Sequence, residues 1–102
     1  MLLRVEGYGV TAVASLAEAE RSTQAGAPDL LVTDYRLGNG ELGTQVIAAL
    51  RRSLRPDLKA VLVTGDASAA ARELRNDPNL RIASKPYKAQ ELLALIAALL
   101  AG

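Results

Sequence analysis

The sequence predicts an α/β fold in which helices cover both faces of a doubly wound parallel sheet. Two apolar runs, at residues 30–32 and 60–63, do not alternate with polar residues and end at turn signals, which is typical of strands buried on both faces. A helical segment lies between them, because Leu42, Val46 and Leu50 recur at four-residue spacing. Strands that alternate with helices in this way imply right-handed crossovers and a parallel sheet.

Each predicted element is bounded by recognised start and stop signals. Ser15 and Glu18 form a capping-box pattern that opens the first full helix, and Pro28 lies just beyond its end. Gly7 would stop a helix at the start of the chain, and Pro78 follows an alanine-rich helix. In chain order the predicted elements are a helix end at 1–6, a strand at 10–14, a helix at 15–25, a strand at 30–34, a helix at 41–55, a strand at 60–64, a helix at 68–76, a strand at 80–83 and a helix at 88–101.

Composition excludes several classes of function. The 102 residues limit the chain to a single domain, and a net charge of +1 argues against nucleic-acid binding by charge alone. The sequence has no cysteine and no histidine, which excludes a thiolate metal site and the usual general base. The longest apolar run, at 92–101, is too short to span a bilayer, and the first residues lack the form of a signal peptide. These observations predict a soluble, cytoplasmic domain.

Three predicted strands end in polar residues that can act together. Asp34 and Thr64 end two of the strands, and Lys85 follows the strand at 80–83. Parallel strands share one direction, so these side chains should converge at the sheet edge where ligands bind in open α/β folds. A carboxylate there can attack a phosphoryl group and form an acyl phosphate, to which a lysine and a hydroxyl can bind. Such chemistry normally requires Mg2+ held by oxygen ligands.

Other polar residues near this edge have simpler interpretations. Asp66 and Glu41 are more typical of turn or cap residues than of metal ligands. The arginines that follow the helical repeat are interpreted as a solvated helix face; they are Arg51, Arg52 and Arg55. Asp34 could by itself be a turn residue, and Thr64 could merely end a strand. It is their combination with Lys85 at matching strand ends that favours a functional site.

Three segments resemble the motifs of response-regulator receiver domains of two-component signalling. They are Asp-Leu-Leu-Val-Thr-Asp-Tyr-Arg-Leu at 29–37, Val-Leu-Val-Thr-Gly at 61–65 and Ser-Lys-Pro-Tyr at 84–87. Asp-Tyr-Arg-Leu at 34–37 and Thr-Gly-Asp at 64–66 are most similar to the receivers of hybrid sensor histidine kinases. The resemblance implies a flavodoxin-like fold, with Asp34 as phosphoacceptor, Thr64 as switch hydroxyl and Lys85 as phosphate-binding lysine. It also implies Mg2+ bound by Asp34 and by the backbone carbonyl of Arg36.

The same resemblance implies a histidine kinase or phosphotransfer domain as partner. It implies no enzymatic activity beyond self-phosphorylation and autodephosphorylation. Two other functions stay open from the residues. One is a non-phosphorylated receiver-like interaction module, and the other is a flavodoxin-like binder of a nucleotide or flavin. The last is the weakest, because no Gly-x-Gly pattern follows the strand at 10–14.

The sequence departs from the receiver pattern in two ways. The family begins with a strand and adjacent acidic residues that hold Mg2+, and neither precedes the strand at 10–14. The missing first strand is central in the family order 2-1-3-4-5. Without it, the strands at 10–14 and 30–34 should pair directly or leave backbone groups unpaired. We therefore expect an N-terminally incomplete domain that is weakly stable or is completed by a second chain, as a homodimer or by strand exchange. In addition, Ile82 stands where the family usually has an aromatic residue.

The last predicted helix carries two apolar stripes, although a surface helix needs only one. The first stripe is Leu92, Leu95, Ile96 and Leu99, and the second is Leu93, Ala97 and Leu100. Either both stripes pack within the chain, or the second one contacts a partner. Exposure of Leu93 and Leu100 would favour a partner, and burial of both would exclude it.

Overall fold

The structure is a computed structural model that describes residues 2–5, 7–24, 26–65, 72 and 77–101. Asp66 and, apart from residue 72, the helix predicted at 68–76 lie outside the described residues. The described elements are β1 (Leu2–Val5), β2 (Tyr8–Val13), α1 (Leu16–Gln24), β3 (Leu30–Asp34), a 3-10 turn (Gly38–Gly40), α2 (Gly43–Ser53), β4 (Lys59–Thr64), β5 (Leu80–Ser84) and α3 (Ala89–Ala101).

The described strands form one sheet in the order β1-β2-β3-β4-β5, and β2 to β5 are parallel. This arrangement confirms the predicted α/β fold. Strands β2 and β3 pair directly, with Val10 opposite Leu30, which is the first of the two expected outcomes. Asp29 fixes the start of this pairing, because its Oδ2 accepts a hydrogen bond from Gly9 N at 2.7 Å and its own N–H donates to Gly9 O.

The predicted helix end at residues 1–6 is wrong, because the described residues of this segment, Leu2–Val5, form strand β1. Strand β1 pairs antiparallel with β2, and Val5 lies opposite Tyr8. Gly7 has a φ of 86°, a left-handed conformation that suits either a helix end or a tight hairpin turn. Here it serves the hairpin, which places an antiparallel strand at the edge of the sheet beside β2.

Helices cover both faces of the sheet, as predicted. On the face covered by α1 and α2, Val46, Ile47 and Leu50 of α2 are buried among strand residues. At the start of α1 the Ser15 Oγ accepts a hydrogen bond from Glu18 N at 3.0 Å, the cap that the sequence pattern indicates. No described helix is long and apolar enough to cross a membrane.

Helix α3 covers the opposite face and buries parts of both of its apolar stripes. Ile96 and Leu99 belong to the buried cluster on this face, and Leu100 joins them with 8% of its surface exposed. Leu93, by contrast, is 47% exposed. The second stripe is therefore divided, since Leu100 packs within the chain and Leu93 faces solvent.

The arginine cluster of α2 is only partly a solvated face. Arg52 and Arg55 are exposed, as predicted. The prediction is wrong for Arg51, whose side chain is 19% exposed, pairs with Asp77, and donates from Nη2 to Leu58 O at 2.8 Å. Arg51 thus joins the end of α2 to the segments that lead into β4 and β5.

Candidate functional site

The ends of β3, β4 and β5 lie side by side. Asp34 is paired with Val63 and Thr64 with Ser84, so the three strands end at the same edge of the sheet. The ladder continues past β5, because Lys85 N donates to Thr64 O at 2.8 Å. The structure therefore brings together Asp34, Thr64 and Lys85, the trio that the sequence singles out.

Asp34 and Lys85 form an ion pair across this edge. The distance from Lys85 Nζ to Asp34 Oδ1 is 3.3 Å, and the two side chains are 50% and 49% exposed. A pair this accessible contributes little to stability, but it leaves the carboxylate open to a partner from solution. Thr64 lies beside the pair and is 5% exposed.

The pair opens into a cleft of about 200 Å³. Its described lining consists of Asp34, Arg36, Val63, Thr64, Gly65 and Lys85. The charged groups of this lining are one carboxylate and two cations, and Arg36 is exposed. Such a lining favours anionic ligands.

The first turn of α2 packs closely against the backbone of Asp34 and Tyr35. Gly43 N donates to Tyr35 O at 2.7 Å. A Cβ atom at Gly43 would overlap the carbonyl oxygen of Asp34 and would lie 2.8 Å from Leu62 Cδ1. Only glycine permits this approach. Sequence reasoning missed Gly43, although a glycine that opens a helix directly after a functional loop was a usable signal.

The loop between β3 and α2 turns Glu41 away from the cleft. Leu37 N donates to Glu41 O at 2.9 Å, and Arg36 bridges to Leu42 in an antiparallel pair. The side chain of Glu41 accepts a hydrogen bond from Leu16 N at 3.2 Å through Oε1. Glu41 therefore caps α1, in agreement with the interpretation of Glu41 as a cap residue.

An apolar groove of about 510 Å³ lies between β5 and α3, and the sequence patterns do not predict it. Ile82 and Tyr87 both line this groove, together with Leu92 and Leu95. Ile82 is half-buried and packs against the core under α1 and α2, which is an ordinary role for a β-branched strand residue. Tyr87 is 38% exposed and follows the cis Lys85–Pro86 peptide bond.

Comparison with known proteins identifies the family. A family model described as the response regulator receiver domain matches residues 1–97. The chain belongs to this receiver domain family. Receiver domains interact in general with histidine kinases or phosphotransfer proteins and are generally not enzymes. Comparison with curated proteins gives no significant match.

Two solved structures resemble the receiver domain described above. A response regulator receiver protein from Sinorhizobium medicae WSM419 gives a TM-score of 0.73 at 23% identity, over 91% of this chain and 93% of that one. The PhyR response regulator REC domain from Erythrobacter litoralis gives a TM-score of 0.66 at 19% identity, over 86% of this chain and 66% of that one. At these identities the likeness supports the flavodoxin-like fold alone.

Receiver domains typically bind Mg2+, and the side chains described in this receiver domain do not fit that ion. Mg2+ takes oxygen ligands and is repelled by neighbouring cations. The described cleft lining offers one carboxylate, Asp34, and two cations, Arg36 and Lys85. Across the described part of the chain, no three His, Cys, Asp or Glu side chains come together as metal ligands. The metal-binding roles of Asp34 and of the Arg36 carbonyl stay predictions.

Proposed function

We propose that the chain is a phosphoacceptor receiver domain of a two-component phosphorelay. It accepts a phosphoryl group on Asp34 from the phosphohistidine of a cytoplasmic histidine kinase or phosphotransfer domain. The observation that carries this proposal is the ion pair of 3.3 Å between Lys85 Nζ and Asp34 Oδ1 at the mouth of an open cleft. It holds a nucleophile and an anion-binding cation together at the carboxyl ends of the strands.

The proposed reaction is a displacement at phosphorus. A carboxylate oxygen of Asp34 attacks the phosphorus atom and forms an O–P bond, and the P–N bond to the donor imidazole breaks. The leaving nitrogen keeps the electron pair of that bond. Lys85 supplies positive charge to the phosphoryl oxygens, and Thr64, which lines the cleft, supplies a hydroxyl that can donate a hydrogen bond to one of them. The aspartyl phosphate that results is the signalling state.

The alternative is a non-phosphorylated receiver-like interaction module. Ile82 supports this alternative, because an aliphatic residue packed into the core cannot act as a rotating aromatic switch. A nucleotide or flavin binder has less support, because the cleft at Asp34 is about 200 Å³, below the roughly 300–1,000 Å³ of typical small-molecule sites.

Incubation with saturating acetyl phosphate and Mg2+, followed by intact-mass measurement, distinguishes a phosphoacceptor receiver domain from a non-phosphorylated interaction module. We expect one phosphoryl group on the wild-type chain and none on Asp34→Asn. Asp57→Asn is the matched control, since Asp57 lies before β4 at the opposite end of the sheet and its side chain is 75% exposed. This variant should be phosphorylated like the wild type. Absence of the adduct from the wild type would favour the interaction module.

A further inference from the structure

We propose that the cleft of this chain binds the phosphoryl group without Mg2+, with Arg36 as the second cation that holds it. This inference rests on the proposed function of Asp34 and concerns how the charge of the same site is balanced. It follows from the disagreement between the metal expected for the family and the charged side chains that line the described cleft.

The charge of the described cleft favours this role. Before modification its lining carries one negative charge, on Asp34, and two positive charges, on Arg36 and Lys85. An aspartyl phosphate carries close to two negative charges at neutral pH. Phosphorylation therefore brings the described cleft close to electroneutrality. An additional acidic pair, as the receiver pattern has, would leave excess negative charge and create the need for a divalent cation.

Arg36 is exposed and carries a guanidinium group that is suited to bind the phosphoryl group. Its guanidinium forms no ion pair with any carboxylate of the described residues, and the residue is exposed at the rim of the cleft. Its backbone is fixed two residues after Asp34 by the bridge to Leu42. A guanidinium presents a planar fork of N–H donors that matches two phosphoryl oxygens, and it is charged at every relevant pH. Arg36 and Lys85, which both line the cleft, can thus both bind the anion.

Three other acidic side chains either make contacts away from the cleft or lie at the opposite end of the sheet. Glu41 lies in the same loop as Arg36, but its carboxylate accepts the hydrogen bond from Leu16 N at the start of α1. Asp29 and Asp77 lie at the far ends of their strands, where they bond to Gly9 and Arg51. Within the described part of the chain, none of these carboxylates adds to Asp34 as a ligand for a cation.

The test compares phosphorylation rates in EDTA and in Mg2+. We expect the wild-type chain to accept a phosphoryl group from acetyl phosphate in EDTA at a rate within about threefold of the rate in Mg2+, a factor too small for the removal of a metal ion that takes part in the reaction. Arg36→Gln should slow the reaction in EDTA by about ten- to a hundredfold, the loss of one charge-assisted hydrogen bond. Arg36→Lys should restore part of the rate because it restores the charge. Arg52→Gln, which removes an exposed arginine outside the cleft, should behave like the wild type.

A second measurement reads binding without chemistry. Inorganic phosphate in EDTA should shift the amide resonances of Thr64 and Gly65 in 1H–15N NMR spectra, and Arg36→Gln should weaken this binding. Phosphate binding without any phosphoryl adduct would support the metal-free anion site and overturn the proposed phosphoacceptor function of Asp34. A phosphoryl adduct that forms only in Mg2+ would overturn the metal-free anion site and support the phosphoacceptor function of Asp34. Absence of both the adduct and phosphate binding would overturn both proposals.

One carboxylate close in sequence to the cleft needs its own control. Asp66 follows Gly65 and lies outside the described residues. We expect Asp66→Asn to leave the rates in EDTA and in Mg2+ unchanged. A stimulation by Mg2+ that the wild type shows and Asp66→Asn lacks would contradict the metal-free site.

Discussion

Replacement of Gly43 by alanine tests whether the packing of α2 against β3 sets the position of Asp34. The added Cβ would overlap the Asp34 carbonyl oxygen and would lie 2.8 Å from Leu62 Cδ1. Neither obstacle can easily move, since one is backbone and Leu62 is fully buried. Overpacking typically costs about 1–3 kcal/mol, and alanine in place of glycine in a helix returns at most about 1 kcal/mol. Since the closest obstacle is a backbone atom, the cost should lie in the upper half of this range, about 2–3 kcal/mol, and after the helical gain we expect the free energy of unfolding to fall by about 1–2 kcal/mol.

Urea denaturation followed by circular dichroism measures this loss, which corresponds to a decrease in Tm of roughly 5–15 °C for a domain of this size. Gly38→Ala is the matched control, because a Cβ at Gly38 meets nothing within 4 Å. The rate of phosphorylation by acetyl phosphate should fall in Gly43→Ala alone, since the carboxylate moves with its backbone. Equal stability of the two variants would refute the close packing of Gly43 against Asp34.

Two further predictions concern the stability of the chain. Arg51→Met should lower the free energy of unfolding by about 2–3 kcal/mol, because it removes the ion pair with Asp77 and the hydrogen bond to the Leu58 carbonyl. The exposed control Arg52→Met should change the free energy of unfolding by less than about 0.5 kcal/mol. Equal changes in the free energy of unfolding of the two variants, measured by urea denaturation, would contradict a stabilising role of the partly buried contacts of Arg51. The wild-type chain should unfold with a free energy below about 5 kcal/mol or with a midpoint that rises with protein concentration. A cooperative monomeric transition with an ordinary midpoint, measured across protein concentrations, would contradict this prediction of a weakly stable or self-associating chain.

The interior of the sheet and the convergence of the trio could be predicted because their signals are local. Strand β3 has the predicted bounds, since an uninterrupted apolar run that ends at Asp34 is typical of a buried parallel strand. The position of Thr64 and Lys85 next to Asp34 follows from the shared direction of the strands. No partner residue had to be known for either inference.

The remaining features depend on residues that are distant in sequence. Gly7 is compatible with a helix end and with a hairpin, and only the pairing of Val5 with Tyr8 decides between them. Arg51 and Arg52 are neighbours with the same side chain, and the presence of Asp77 beside Arg51 distinguishes a partly buried ion pair from a solvated charge. Glu41 likewise acquires its role from the start of α1, which precedes it in the sequence by a whole strand and helix. Local patterns carry no information on such contacts.

The order of the strands has a consequence for how the chain folds. Every strand of the described sheet pairs with the strand next to it in sequence, because the spatial order is the chain order. Each pairing therefore closes only the segment that connects two consecutive strands, which keeps the entropy cost of loop closure low. No strand has to be inserted between two others that have already paired. Assembly can begin at the β1–β2 hairpin, the most local contact, and proceed strand by strand across the sheet. The edge on which Asp34, Thr64 and Lys85 meet is complete only when β5, the final strand, has joined.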